Sequence, residues 1–201
     1  MNKQVIIPYP QNGQITVGND RPFVLFAGPC QIESRDHAMS IAGAVQEICA
    51  SLGIQLVFKS SYDKANRTSH TKGRGVGLDE GLKILGDVRS TFNVPVITDV
   101  HETDHCRPVA DVVDVLQIPA FLCRQTDLLL AAGETGRVIN VKKGQFLAPG
   151  DMKNVAAKIA STGNEQIIPT ALNHDSRGIE LNRSAVLALA SIPYCKTERP
   201  R

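Results

Sequence analysis

Residues 94–118 read VPVITDVHETDHCRPVADVVDVLQI. Two β-branched runs, Val94–Val100 and Val112–Ile118, flank a polar stretch in which Asp104–Ala110 can form one short helix. Runs that are apolar without alternation suit strands buried on both faces, as in a parallel sheet. Each run carries a polar residue near its C-terminal end, Asp99 in the first and Gln117 in the second. A strand, a crossover helix and a second strand with polar ends make a βαβ unit with chemistry at one edge.

The same alternation extends both ways. Upstream, Phe23–Gly28 is an apolar run that stops at Gly-Pro-Cys. A helical stretch, His37–Leu52, follows. Its Ala38, Ile41, Val45 and Ile48 fall at helical spacing, with Asp36 as a candidate cap. Ile54–Lys59 reads as a strand and Leu78–Phe92 as a helix. Downstream come helix Gln125–Ala132, strand Val138–Val141, helix Met152–Ser161 and a strand beginning at Glu165–Ile168. The chain starts differently: Val5–Tyr9 and Gln14–Val17 alternate around Pro10–Gly13, a β-hairpin pattern with Asn12-Gly13 as the turn.

An open doubly wound sheet and a β/α barrel both fit this order. Lys59, Asp99, Gln117 and Lys142 lie at or just past the C-terminal ends of four different strands. A barrel draws its site from many strand ends, whereas an open sheet concentrates it at one switch point. The first βα turn, Ala27-Gly28-Pro29-Cys30, also lacks a dinucleotide-binding glycine pattern. The fold expected is an α/β barrel of the TIM type with an N-terminal hairpin.

Composition sets outer limits. A 201-residue chain with 42% hydrophobic and 21% charged residues is long enough for a substantial core. A net charge of +2 gives no general reason to expect nucleic acid or an anionic membrane as a partner. No apolar window reaches membrane-spanning length, and Met1–Val17 does not read as a secretory signal. The five cysteines, Cys30, Cys49, Cys106, Cys123 and Cys195, form no paired spacing. The expectation is a cytoplasmic protein without a disulfide framework.

The densest chemistry lies in Lys59-Ser60-Ser61-Tyr62-Asp63-Lys64-Ala65-Asn66-Arg67-Thr68-Ser69, where three cations stand among hydroxyls and amides. Convergent donors of this kind bind phosphates and carboxylates. A solvated polar loop is the plain alternative. A second basic strand end, Asn140-Val141-Lys142-Lys143-Gly144-Gln145, favours an anionic ligand with more than one charged group. Asp99 and His101 could bind sugar hydroxyls or move protons; they could equally cap a helix and pack. Phe121 and Leu122 fit either an apolar lip or a core-facing loop. Cys30 is either a thiolate metal ligand or inert packing.

The strings AGPCQIESRD, FKSSYDKANRTS, VITDVHE, VADVVDVLQIPAFLCRQTDLL, VINVKKGQFLAPGDM and GNEQII cover roughly residues 22–168. In this order they resemble the 3-deoxy-D-manno-octulosonate 8-phosphate synthases. Related 3-deoxy-heptulosonate phosphate synthases share the barrel but carry a loop more like KPRTS. The resemblance implies a transferase of lipopolysaccharide (KDO) biosynthesis that condenses phosphoenolpyruvate with D-arabinose 5-phosphate. Matched motif by motif, Lys59, Lys64, Lys142 and Gln145 contact phosphoenolpyruvate. Asn66 and Arg67 lie between the substrates, while Ser61, Asp63, Asp99 and Gln117 face the sugar. Within these sets, Lys64, Asn66 and Asp99 are the catalytic candidates. Thr68 and the Pro119-Ala120-Phe121 turn approach a neighbouring subunit's site, which implies a homo-oligomer, a tetramer in the family. Cysteine at position 30 marks the metal-dependent branch, so a divalent ion is expected there and no organic cofactor.

The resemblance ends near Ile168. The family continues with a Cys-Glu-Arg-Gly turn whose arginine binds phosphate, and with a histidine and two acidic metal ligands. This chain reads Pro169-Thr170-Ala171-Leu172-Asn173-His174-Asp175. The expectation is a barrel portion over residues 1–168 with five to six strands, and an unmatched tail over residues 169–201. The alternative function is a phosphate-binding remnant with no turnover.

Overall fold

The computed structural model describes residues 4–66 and 73–170. Arg67, Thr68 and all but the first two residues of the expected tail lie outside the described residues.

A two-stranded antiparallel hairpin, β1 (Val5–Tyr9) and β2 (Gly13–Val17), precedes a six-stranded parallel sheet. Its strands are β3 (Val24–Ala27), β4 (Gln55–Lys59), β5 (Val96–Asp99), β6 (Val115–Ile118), β7 (Val138–Lys142) and β8 (Ile167–Thr170). They neighbour one another in strict chain order, β3-β4-β5-β6-β7-β8. A doubly wound sheet reverses its order at a switch point; this one does not, and it forms six successive strands of a β/α barrel wall. The crossovers are α1 (Arg35–Leu52), α2 (Leu78–Phe92), α3 (Thr103–Val112), α4 (Thr126–Glu134) and α5 (Met152–Ala160). No described helix is long and apolar enough to cross a membrane.

Side-chain alternation along the strands divides the molecule in two. On one face, Leu56, Phe58, Val96, Leu116, Ile118, Ile139 and Val141 pack into the helix layer with Leu85, Val88, Val109, Leu129 and Ile159. On the other, Val24, Phe26, Val57, Ile97, Val115, Val138 and Ile168 form one apolar cluster with Val5, Ile7, Ile15 and Val17 of the hairpin. The hairpin thus shares one apolar cluster with inner-face residues of all six strands, as in a sheet curled toward it. Gln166 reinforces the docking, its Oε1 accepting from the Ile6 amide at 3.0 Å.

Three local expectations are corrected. Ser34, not Asp36, caps α1: it is extended (φ −158°) and its hydroxyl accepts from the His37 amide at 3.2 Å, while Asp36 sits in the first turn. The buried stripe of α1 is Ala38, Ala42 and Cys49, with Ile41 and Val45 partly buried. Ile48 is 58% exposed, on the edge of that stripe. In the hairpin, the turn residues are Gln11 and Asn12, both at φ 59°, and Gly13 already pairs with Tyr9.

Candidate active site

The parity that points Val57, Ile97, Val115 and Val138 at the hairpin also decides what comes next. Two residues further on, the same inner face carries Lys59, Asp99, Gln117 and Asn140, then Lys142 on β7 and Thr170 on β8. The apolar layer closes the N-terminal end of the strands, and this polar layer floors the C-terminal end.

Asp99 is the hub of that floor. It is 7% exposed. Ser61 donates its hydroxyl to one carboxylate oxygen and Gln117 donates its amide to the other. Lys59 Nζ stands 3.7 Å from Oδ2. Lys64 Nζ donates to Ser61 Oγ at 2.9 Å, which links a second ammonium to the same carboxylate. Burial pushes the Asp99 carboxyl up, but Lys59, the two hydrogen bonds and Lys64 together hold it below the usual carboxylate range. Asp99 therefore carries a charge inside the sheet and does not cap a helix. Lys142 is shifted the other way: burial, then the neighbouring Lys59, lowers its pKa despite the pull of Asp99.

Gly28 sets the near wall. At φ 154° its missing Cβ would lie 2.1 Å from the Lys59 carbonyl, so only glycine lets the β3 end approach the β4 end this closely. The approach is tied by Ser60, whose hydroxyl donates to the Pro29 carbonyl at 2.9 Å, and it brings Cys30 beside the lysines.

Above the floor opens a pocket of about 450 Å³ lined by Cys30, Asp63, Lys64, Asn66, Asp99, His101, Phe121, Lys142 and Gln145, among others. These nine residues, all singled out from the sequence, thus meet in one cavity, fed by the ends of β3, β4, β5, β6 and β7. Lys59, Ser61 and Gln117 lie at its floor, joined through Asp99. A smaller cavity of about 160 Å³ between the hairpin, α1 and the start of β5 has no charged side chain in its lining.

His101 was offered by the sequence, whereas the role of Asn140 was not. His101 lines the pocket with its Nδ1 buried and without a hydrogen-bond partner. Burial depresses its pKa against the opposing pull of Asp99 and Asp63. Asn140 donates to the Ile168 carbonyl at 3.1 Å and to the Thr170 hydroxyl, fixing β8 to the floor. The period of two from Lys142 was the signal for Asn140. Phe121, 59% exposed on the pocket lip, is not core-facing.

The described residues alone do not complete a metal site at Cys30. Among the described residues, no three His, Cys, Asp or Glu side chains are grouped to hold an ion. Among the described residues Cys30 lacks the two further ligands a divalent metal needs, so no chemical step is routed through one.

Comparison with known proteins places this geometry. The sequence matches the DAHP synthetase I family over residues 4–198. The chain belongs to the DAHP synthetase I family. Within it, a Granulibacter bethesdensis protein named 2-dehydro-3-deoxyphosphooctonate aldolase is 66% identical over 158 residues, covering 79% of this chain and 56% of the relative. A Nitrobacter winogradskyi protein of the same name is 60% identical over 163 residues, 81% of this chain and 57% of that one. One from Brucella anthropi is 52% identical over 182 residues, 90% and 64%. The chain spans somewhat over half the length of these family members.

Proposed function

We propose that the pocket binds phosphoenolpyruvate beside an aldose phosphate, and that the protein condenses phosphoenolpyruvate with D-arabinose 5-phosphate to 3-deoxy-D-manno-octulosonate 8-phosphate and inorganic phosphate. The reaction belongs to lipopolysaccharide biosynthesis. The observation that carries the reading is the convergence of Lys59, Lys64 and Lys142 on one pocket around a single buried carboxylate, Asp99. Three ammonium groups outnumber the carboxylates of Asp99 and of Asp63, the latter paired with Arg74, and leave the pocket cationic, as a doubly charged phosphate ester with a carboxylate requires. The names of the relatives supply the product.

In this reading Lys142, Gln145, Lys59 and Lys64 hold the carboxylate and phosphate of phosphoenolpyruvate. Asn66 and Arg67 lie between the two substrates, with Ser61, Asp63, Asp99 and Gln117 toward the sugar. C3 of the enol ester attacks the aldehyde carbon, forming the new C–C bond, and the aldehyde oxygen takes a proton. Water adds at C2, and the C2–O bond to phosphate breaks to release inorganic phosphate. A thiolate-bound ion at Cys30 would need ligands beyond the described residues. Phe121 on the lip is suited to meeting a neighbouring subunit of a homo-oligomer, a role the family motif also gives to Thr68.

The test is calorimetry of the 201-residue chain with phosphoenolpyruvate, followed by phosphate release with arabinose 5-phosphate. One binding event per chain, lost in Lys142→Ala, supports the site, and no binding removes it. Binding without turnover would identify a phosphate-binding remnant. Faster turnover with a four-carbon aldose phosphate would point to a seven-carbon product instead.

A further inference from the structure

We infer that Arg74 is a positioning residue for this pocket, clamping Asp63 so that Lys64 and Asn66 keep their places in its wall. The inference rests on the proposed phosphate-binding reading and adds a residue that touches no substrate in it.

Asp63 lines the pocket, but both of its carboxylate oxygens are engaged elsewhere. Arg74 Nε donates to Oδ1 at 2.9 Å and its terminal nitrogen donates to Oδ2. A two-pronged guanidinium–carboxylate pair fixes orientation as well as distance, which a lysine cannot do. The pair, led by that hydrogen bond, holds the Asp63 carboxyl below its usual range.

The backbone repeats the tie. The Lys64 amide donates to the Arg74 carbonyl at 2.7 Å, and the Gly77 amide donates to the Tyr62 carbonyl at 3.3 Å. Gly75, at φ 130°, would place a Cβ 2.2 Å from the Tyr62 carbonyl, so the two segments run closer than any side chain permits. Residues 74–77 therefore form a splint along residues 62–64. The splint hands its order to the pocket through Lys64, whose Nζ reaches Ser61 and through it Asp99. The guanidinium itself is mostly in solvent and is not among the pocket's lining residues. Its effect on a ligand is transmitted by Asp63 and Lys64.

The experiment compares Arg74→Ala, Arg74→Lys and Asp63→Asn with the unaltered 201-residue chain. Hydrogen exchange is followed without ligand on a peptide covering Tyr62–Asn66, and phosphoenolpyruvate affinity by calorimetry. Arg74→Ala and Asp63→Asn should both speed exchange in that peptide while leaving the β5–β7 peptides unchanged. Both should weaken phosphoenolpyruvate by roughly three- to tenfold, the range for a partly exposed charge-assisted pair, with Arg74→Lys in between. Unchanged exchange in Arg74→Ala overturns the inference. So does tighter binding in Asp63→Asn together with weaker binding in Arg74→Ala, because Arg74 would then act on the ligand directly. If Arg74→Ala loses its fold, Arg74→Lys keeps the charge without the two-pronged geometry and gives the same two readouts. If the unaltered chain binds no phosphoenolpyruvate, the functional reading fails, and the exchange result alone decides whether the clamp exists.

Discussion

Replacing Asp99 with asparagine tests the electrostatic design of the pocket floor. The substitution keeps shape and one acceptor oxygen, so Gln117 keeps its partner. It removes the negative charge that faces Lys59 at 3.7 Å and that Ser61 relays to Lys64. Breaking a buried pair by removing one partner costs about 3–5 kcal/mol, because the other charge is left in the protein alone. The Lys59 side chain retains 13% exposure, enough for its ammonium to recover some hydration, so the lower end applies, about 3 kcal/mol. For a chain of this size that corresponds to a melting temperature about 6–12 °C lower. Urea unfolding followed by circular dichroism measures it at pH 7. The pH dependence adds a second signature. A carboxylate whose folded pKa is depressed contributes stability above its unfolded value, near pH 4, and loses it as the pH falls toward the folded value. The gap between the two proteins should therefore narrow below about pH 4. A loss under about 1 kcal/mol, the range of exposed pairs, would refute the view that this charge is held out of water.

Three other outcomes are expected. Lys142→Ala should weaken phosphoenolpyruvate by about 1.5–3 kcal/mol, read by calorimetry, since a charge-assisted contact is lost. Because burial lowers the Lys142 pKa, its ammonium loses its proton earlier than an ordinary lysine as pH rises. Phosphoenolpyruvate affinity should therefore fall at a lower alkaline pH than a free lysine would give, and Lys142→Arg should move that fall upward in a titration series. Gly28→Ala should destabilise the fold by about 1–3 kcal/mol in urea unfolding, since the new methyl meets the Lys59 carbonyl and the backbone conformation is strained.

The parts of this molecule that repeat were legible in its sequence, and the parts that depend on a distant partner were not. The strand–helix alternation placed all six parallel strands and five crossovers, because each buried strand is a local β-branched run and each helix a local amphipathic one. Helix Leu78–Phe92 matches residue for residue. The last strand was read only from its beginning, Glu165–Ile168, and it runs through Pro169 to Thr170. In a parallel strand alternate residues offer their amides to opposite neighbours. Ile168 and Thr170 face β7, so the missing N–H of Pro169 falls on the other edge. Lys59, Asp99, Gln117 and Lys142 were readable as strand ends, and their meeting in one floor follows from parity once the sheet order is known. The Arg74–Asp63 clamp was not readable, since opposite charges eleven residues apart carry no periodic signal. Nor could the sequence show that Asp63 is already engaged on both oxygens.

The hairpin has a consequence for the order in which the protein can be made. It ends at Val17, yet its apolar cluster draws on six strands, the last of which ends at Thr170. Translation at roughly 5–20 residues per second separates Ile6 from Gln166 by about 8–30 s. Throughout that interval Val5, Ile7, Ile15 and Val17 lack part of their burial, and each emerging strand covers only one further sector. Of the described elements the hairpin is thus the first synthesised and among the last to be finished. A ribosome-stalled series should show it protease-sensitive until β8 has cleared the exit tunnel.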